Sequence, residues 1–151
     1  MSVILKPVDL TDQRKYDLVN HYYQNFHSTP KELISDKLPE ATYLLVCLDT
    51  DSRTAPLLGI TSYKQITPTL YMTERTIIEP QFRGKGYGKA ASNAVEQYLK
   101  DLGAHKICCE VLTFNTKMVN IKLSQGYVIE GTMYNHDAPG IHQYFFGKEL
   151  K

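Results

Sequence analysis

The run RGKGYGK over residues 83–89 combines three alternating glycines with the cationic side chains of Arg83, Lys85 and Lys89. Glycine has no Cβ, so its backbone N–H groups can approach a ligand closely and its φ can be positive. The run lies between an apolar segment typical of a strand and a segment with helical periodicity. The first N–H groups of a helix have no intrahelical partner and carry partial positive charge. This combination predicts a local anion site suited to a phosphate or diphosphate.

Two common phosphate-binding motifs do not fit this run. A P-loop needs GxxxxGK[ST], but Arg83 stands at its first glycine position and Ala90 at its hydroxyl position, which argues against an NTPase. The dinucleotide fingerprint GxGxxG would need a glycine where Lys89 stands. The spacing that fits is [QR]xxGx[GA], as Arg83-x-x-Gly86-x-Gly88.

Strands and helices alternate along the chain, and together they must position this loop. Apolar periodicity predicts strands over 2–8, 41–48, 57–66, 70–78, 105–112, 127–134 and 141–150. It predicts helices from Asp9 or Thr11 to about Phe26, from Pro30, over 87–102 and over 115–124, with a polar turn over 49–54 and a loop over 135–140. The pattern indicates an α+β or mixed α/β fold. Its βαβ unit over 70–112 requires a right-handed crossover between parallel strands.

Composition limits the classes of function. The 151 residues have the length of one domain, 1–151. Lys and Arg number 17 against 16 Asp and Glu, so the net charge of +1 gives no global attraction to nucleic acid or anionic lipid. Neither a signal peptide nor a membrane span is expected. We therefore expect no nucleic-acid partner and no membrane partner.

The three cysteines, Cys47, Cys108 and Cys109, lie in apolar runs and form no CxxC or CxxH spacing. They are expected to be buried thiols without a disulfide or metal site, which suits the reducing cytoplasm. An acyl-cysteine role for the adjacent pair is disfavoured because no neighbouring base is evident.

The loop resembles the acetyl-CoA diphosphate loop of the GCN5-related N-acetyltransferases, the GNAT superfamily. Residues 78–88 are similar to the family's strand, proline and loop, and Asn115 followed by a helix and Gly126-Tyr127 is similar to its second motif. Residues 126–131 are similar to the ribosomal-protein and small-amine branches. The resemblance implies a GNAT-like single domain with a mixed, mostly antiparallel sheet of about seven strands and flanking helices. In that fold the parallel strands 70–78 and 105–112 splay apart to admit the pantetheine arm.

The resemblance also implies that acetyl-CoA is the cosubstrate. Strand backbone at 76–78 would pair with the pantetheine amides, amides from 83 to 89 would hold the diphosphate, and Asn115 would bond the cofactor. The expected cofactor-binding residues are Thr76, Ile77, Ile78, Arg83, Gly84, Lys85, Gly86, Tyr87, Gly88, Lys89 and Asn115.

The implied reaction is direct attack of a neutral amine on the thioester, which requires positioning, a polarised carbonyl and a base. A backbone N–H near Ile78 is the expected oxyanion donor. Glu74 is the first candidate base and Glu110 the second. Glu74 is equally consistent with a surface strand residue paired with Arg75 or Lys64.

The general acid departs from the family pattern. Many relatives place a tyrosine seven residues after the asparagine, where this chain has Lys122. The remaining candidates are Ser124, Tyr127 and Tyr134, of which Tyr127 also fits a core position and Tyr134 is the one assigned. A coenzyme A thiolate can leave without being protonated by the enzyme, because thiol pKa values are low, about 8.5.

The acceptor is expected to be either a peptide N-terminus or a small amine. Its pocket could be lined by His136, Asp137, His142 and Tyr144 in the last hairpin and by Tyr22, Tyr23 and His27 on the early helices, although aromatic residues at helical spacing are usually core. Relatives often pair through late strands, which makes a homodimer possible. The alternative functions are a non-catalytic acyl-CoA-binding or regulatory module of the same fold and, opposed by the charge balance, a nucleotide or RNA binder.

Overall fold

A computed structural model describes residues 2–27, 29–50 and 55–151. These residues form seven strands and three α-helices. In order they are β1 (Val3–Pro7), α1 (Gln13–Asn25), β2 (Thr42–Leu48), β3 (Leu57–Gln65), β4 (Leu70–Ile78), α2 (Tyr87–Asp101), β5 (Lys106–Leu112), α3 (Thr116–Ser124), β6 (Val128–Ala138) and β7 (Ile141–Glu149). Single turns of 3-10 helix lie at Lys31–Leu33 and Pro80–Phe82.

The strands form one sheet in the order β1-β2-β3-β4-β5-β7-β6. Strands β1 and β2, β2 and β3, β5 and β7, and β6 and β7 pair antiparallel, whereas β4 and β5 pair parallel. The predicted mixed, mostly antiparallel sheet is thus confirmed. The parallel register joins Leu70–Met72 to Lys106–Cys108, while β4 continues to Ile78 and β5 to Leu112.

Two predictions at the start of the chain were wrong in detail. The N-cap of α1 is Asp12, whose side chain accepts a hydrogen bond from the Arg14 N–H at 3.0 Å. Asp9 instead accepts from the backbone and hydroxyl of Thr11, which makes a local turn before the helix. The helix predicted from Pro30 is a single 3-10 turn over Lys31–Leu33.

The loop predicted over 135–140 is mostly strand, because β6 runs on to Ala138 and only Pro139 and Gly140 lie outside the hairpin strands. Asn135 takes a φ of 53°, which asparagine tolerates better than most residues. Its side chain accepts from the Gly140 N–H at 2.7 Å, and its own N–H donates to Nδ1 of His142 at 2.9 Å. These bonds hold an irregular but continuous hairpin. The turn predicted over 49–54 lies partly outside the described residues.

By its internal contacts the chain comprises two compact units, residues 1–64 with 75–98 and residues 65–74 with 99–151. In the first unit, Val19, Tyr22 and Tyr23 of α1 form a core cluster with Tyr43, Ile60 and Ile77. A second cluster joins Val46, Leu58, Ile78 and Ala91, the last from α2. Because neighbouring strand residues point to opposite faces, Ile77 packs against α1 and Ile78 against α2.

In the second unit, the buried core includes Ile107 and Cys108 of β5 and Phe146 of β7, each almost fully buried. All three cysteines of the chain are free and buried, as predicted. Among the described residues, no helix combines the length and the apolar character that a membrane crossing needs.

A substitution at Gly59 tests the packing of β3 on β4. A Cβ at this position would lie 2.0 Å from the carbonyl oxygen of Ile77, a backbone atom that cannot move aside without shifting β4. We expect Gly59→Ala to lower the free energy of unfolding by about 1–3 kcal/mol, as overpacking does elsewhere. Urea denaturation measures it. Gly131→Ala is the matched control, since a Cβ there meets nothing within 4 Å. Equal stability of the two variants would contradict this packing.

Candidate functional site

The predicted anion loop begins after the 3-10 turn Pro80–Phe82 and ends where α2 starts at Tyr87. Gly84 and Gly86 have φ values of 77° and 85°, in the left-handed region that favours glycine. Both glycines are exposed. The glycine spacing noted in the sequence therefore reflects two residues with positive φ immediately before a helix.

The backbone N–H groups of residues 84–89 are available to a ligand. Upstream, the Arg83 N–H donates to the Pro80 carbonyl at 3.2 Å, and downstream the Ala90 N–H donates to the Gly86 carbonyl at 3.1 Å. Between these two bonds, the N–H groups find no acceptor within the described ranges of the chain. Together with the start of α2, they form a run of donors with partial positive charge.

The side chain of Arg83 is bonded within the protein. Its Nε donates to the Ile78 carbonyl at 2.8 Å, and its Nη2 donates to the Phe26 carbonyl. These carbonyls lie at the ends of β4 and α1. Arg83, predicted from the sequence to face the diphosphate, thus uses both its backbone N–H and its guanidinium inside the fold. The loop's remaining cations, Lys85 and Lys89, are exposed.

Aromatic and polar contacts anchor the loop at both sides of the glycines. The Phe82 and Tyr87 rings meet edge to face with centroids 6.3 Å apart, and both pack on the cluster that contains Ile78. Before the loop, the Glu79 carboxylate accepts from the Tyr22 hydroxyl at 2.9 Å and from Gln81 Nε2 at 3.0 Å. Burial, and next the bond to Glu79, raises the pKa of the Tyr22 hydroxyl.

Hydrogen bonds and packing within the first unit hold in place the three strand residues predicted to bind the cofactor. Thr76 shares a 3.0 Å hydroxyl–hydroxyl bond with Thr61, a fully buried residue of β3. The side chains of Ile77 and Ile78 are buried on opposite faces. The Glu79 N–H donates to the Leu58 carbonyl at 2.8 Å, which fixes the end of β4 beside β3.

In the second unit, Asn115 is the N-cap of α3. Its Oδ1 accepts from the Met118 N–H at 3.2 Å, so the side-chain oxygen serves the helix. The two donors of Nδ2 have no acceptor in the part of the chain that the structure describes. Asn115 therefore combines a capping role with a donor that a ligand can use.

Comparisons with known proteins identify the family. The sequence model of the acetyltransferase (GNAT) family matches residues 13–127, which include the loop and Asn115. The chain belongs to the GNAT acetyltransferase family. No curated protein gives a significant sequence match.

Solved structures with the same fold cover nearly the whole GNAT chain. A chain of the NatC complex bound to Gag peptide and CoA has 15% identity and a TM-score of 0.69, with 100% of both chains covered. The spermidine/spermine N-acetyltransferase SpeG of Vibrio cholerae has 19% identity and a TM-score of 0.70, with 98% of this chain and 92% of that chain covered. A GNAT acetyltransferase of Elizabethkingia anophelis with acetyl-CoA bound has 14% identity and a TM-score of 0.73, with 99% of both chains covered.

The carboxylates predicted as bases differ in their surroundings. Glu74 on β4 is half-buried. Glu110 on β5 faces the imidazole of His136, with 3.7 Å between its Oε2 and Nε2 of the histidine. Glu110 thus has a partner on β6 within its own unit.

The residues predicted near the general-acid position are spread over α3 and β6. Lys122 lies with its Nζ 4.8 Å from the centroid of the buried Tyr127 ring, which has a core position as expected from the family. The Ser124 hydroxyl donates to the Ile121 carbonyl at 2.6 Å and so serves α3. Tyr134 on β6 is 73% exposed, and its ring meets His142 edge to face.

The two adjacent cysteines of β5 are unsuited to covalent catalysis. Burial raises the pKa of the Cys108 thiol to about 11 and also raises that of Cys109. Both are therefore protonated near neutral pH, and a thiol is a poor nucleophile compared with its thiolate.

Arg75 is the residue that the sequence analysis missed as a possible ligand-binding group. Its Cζ lies 5.8 Å from the Tyr23 ring centroid, and the His27 ring lies on the same tyrosine with centroids 5.5 Å apart. Burial, and next the charge of Arg75, lowers the pKa of His27 to about 4. A basic residue in a strand gives no sequence signal that one of its nitrogens will be shielded from solvent.

The lowered pKa of His27 predicts a pH dependence of stability. Between pH 6.5 and about 4 the unfolded chain binds a proton at His27 that the folded chain does not, so the free energy of unfolding falls as pH falls through this window. NMR of the His27 ring should give a midpoint near 4, with the signal assigned by its loss in His27→Gln. Wild type should also lose more stability than His27→Gln between pH 7 and 4.5. A midpoint above 6 would contradict the burial of this ring.

Proposed function

We propose that this GNAT domain, residues 1–151, is an acetyl-CoA-dependent N-acetyltransferase that moves an acetyl group directly to a primary amine. The observation that carries the proposal is the run of backbone N–H groups at 84–89, at the start of α2, for which the described residues offer no acceptor. Such donors suit a diphosphate, because anions are favoured at helix N-termini and charge-assisted bonds are the strong ones. The solved GNAT structures with CoA and acetyl-CoA support the same ligand.

The proposed cofactor contacts follow the order of the chain. Backbone at Thr76, Ile77 and Ile78 pairs with the pantetheine amides, and the amides of residues 84–89 bind the diphosphate. Lys85 and Lys89 add positive charge beside it. Arg83 holds the loop in place through its bonds to Ile78 and Phe26. In the second unit, Nδ2 of Asn115 donates to the cofactor.

The proposed chemistry assigns one task to each group. Glu74 accepts the proton of the attacking amine, directly or through one water, because it lies on β4 with the same side-chain parity as Thr76 and Ile78, where the pantetheine is proposed to bind. A backbone N–H near Ile78 donates to the thioester oxygen as it gains negative charge. The new C–N bond forms as the C–S bond breaks, and the coenzyme A thiolate leaves with the electron pair.

The proton for the thiolate is proposed to come from Tyr134 or from water. Tyr134 is a phenol exposed to solvent on β6, which allows it to exchange its proton. The thiolate is stable enough to leave first and be protonated later, since thiol pKa values lie near 8.5. Lys122, in the position of the family's tyrosine, favours the second candidate function, an acyl-CoA-binding module without turnover.

The acceptor class is a peptide N-terminus or a small amine. NatC was solved with a peptide, and SpeG is named a spermidine/spermine acetyltransferase, so both classes occur on this fold. We also propose a cytoplasmic location, in keeping with acetyl-CoA use and three free thiols. A homodimer through β6 is proposed because this strand ends the sheet order and exposes Val128 and Ile129.

Gly86→Val tests the cofactor loop. The valine would be strained at a φ of 85° and would place a side chain among the diphosphate donors. We expect calorimetry to detect no coenzyme A binding to a folded variant. Gly103→Val, with a φ of 103° after α2, controls for backbone strain and should bind normally. Normal binding by Gly86→Val would refute the placement of the diphosphate.

Glu74→Gln tests both turnover and the base. Wild type should release thiol from acetyl-CoA with at least one of peptides, amino acids, polyamines or aminoglycosides. The variant should turn over more slowly, above all at low pH, where a smaller fraction of the amine is already neutral, and its coenzyme A affinity should not change. Glu149→Gln, an exposed carboxylate on β7, is the matched control. Identical pH profiles would eliminate Glu74, and coenzyme A binding without any thiol release would select the binding module.

A further inference from the structure

Three buried side-chain polar atoms of the first unit have no hydrogen-bond partner among the described residues: Nε of Arg75, Nε2 of His27 and Oγ of Ser62. Two of them, Nε of Arg75 and Nε2 of His27, are nitrogens that both lie near the Tyr23 ring and are shielded from solvent. Leaving a buried donor unsatisfied costs about 1–3 kcal/mol, and more where the group is charged. Native proteins contain few such atoms, so two in one neighbourhood suggest a missing partner.

The two donors flank the same buried ring. The Arg75 guanidinium carbon lies 5.8 Å from the centroid of Tyr23, whose side chain is 1% exposed. The His27 ring meets Tyr23 edge to face, at 89° with centroids 5.5 Å apart. Tyr23 belongs to the core cluster of α1, so both donors lie on the face of β4 that α1 covers.

The protonation of His27 makes its Nε2 a donor. Its Nδ1 accepts a hydrogen bond from the Thr29 N–H at 2.9 Å, so the proton of the neutral ring is on Nε2. Burial and Arg75 keep the ring neutral by lowering its pKa to about 4. The pair therefore offers one permanent positive charge and one neutral N–H.

The described part of the chain places no anion on this pair. No carboxylate of residues 2–27, 29–50 or 55–151 forms an ion pair with Arg75. A buried cation is stable when a counter-charge and hydrogen bonds compensate for its lost hydration. An anion from outside the chain that lies within hydrogen-bond reach of both nitrogens would satisfy them.

The position of the pair relates it to the acceptor rather than to the diphosphate. Arg75 directly precedes Thr76, the first of the strand residues proposed to hold pantetheine. Arg83 joins the Phe26 carbonyl to the Ile78 carbonyl, which fixes His27 beside the end of β4. The glycine loop leads into α2, which packs on the other face through Ala91.

We propose that Arg75 and His27 bind a carboxylate carried by the acceptor amine. This inference rests on the proposed transferase function and names its substrate class. The planar guanidinium edge of Arg75 and the Nε2–H of His27 donate to the two carboxylate oxygens, a geometry that arginine suits better than lysine. The positive charge of Arg75 disfavours polyamines, which carry the same sign. The carboxylate belongs to a free amino acid or to an acidic side chain of a peptide.

Matched acceptor pairs test this inference and separate the two sources. One pair is alanine and alaninamide; the other is two tripeptide amides that differ only by Glu or Gln at the second position. Thiol release should give the carboxylate member of one pair a kcat/KM at least about tenfold higher than its neutral partner, and spermidine should be poor. The preferred pair identifies the source. No preference in either pair would overturn the inference, although turnover itself would still support the transferase.

Variants assign the preference to Arg75 and His27. Arg75→Gln should lower kcat/KM for the carboxylate member at least about tenfold and that for the neutral partner far less, so that the preference is lost. His27→Gln should reduce the preference, and Arg75→Lys should restore part of it. Arg14→Gln, an exposed arginine on α1, is the control and should behave as wild type. Equal loss with both members of a pair, or weaker acetyl-CoA binding by Arg75→Gln, would overturn the inference.

A binding measurement judges the inference even if no amine turns over. N-acetylalanine and N-acetylglutamate, added with coenzyme A, should shift the His27 ring signals in NMR spectra, whereas N-acetylalaninamide should not. Absence of a shift with either acid would overturn the carboxylate site. Coenzyme A binding with no thiol release, together with such a shift, would contradict only the transferase function.

Discussion

The guanidinium of Arg83 donates to two main-chain carbonyls, one at the end of β4 and one at the end of α1. These bonds place the 3-10 turn, the two glycines with positive φ and the start of α2 relative to the strand. Because the Arg83 guanidinium is bonded within the protein, the proposed binding of the diphosphate depends on backbone amides. Lys85 and Lys89 add positive charge beside it. Backbone donors fixed by the fold need no reorganisation when an anion binds.

The alternation of β4 separates two chemical environments. Ile78 packs with Ala91 toward α2, where the exposed amides follow, and Ile77 packs with Tyr22 and Tyr23 toward α1, where Arg75 and His27 lie. A single strand therefore borders an anion site open to solvent and a buried pair of donors. We propose that the first binds the acyl donor and that the second binds the acceptor.

Much of the fold and of the cofactor loop could be predicted from the sequence. The apolar run of β4, the glycine spacing and the helical periodicity of α2 are local patterns, and each structural boundary lies within a few residues of its prediction. Asn115 at the start of α3 likewise follows a local capping preference. The family match over residues 13–127 agrees with that local signal.

Other features depend on contacts that sequence patterns do not encode. Asp9 and Asp12 are both suitable caps, and the local turn with Thr11 decides between them. The polar residues at 135–138 favour a loop by composition, but bonds between the two arms of the hairpin keep them in β6. The motif predicts that Arg83 binds phosphate, yet its guanidinium donates to the carbonyls of Ile78 and Phe26 instead. The shielding of Arg75 Nε and His27 Nε2 from solvent depends on contacts between segments distant in sequence.

The most direct measurement of the central claim is calorimetry of the wild-type protein with coenzyme A and with pantetheine, which lacks the diphosphate. If the amides of residues 84–89 bind the diphosphate, coenzyme A should bind with measurable heat and pantetheine should bind far more weakly. Equal affinity for the two ligands, or no heat with coenzyme A, would contradict the account.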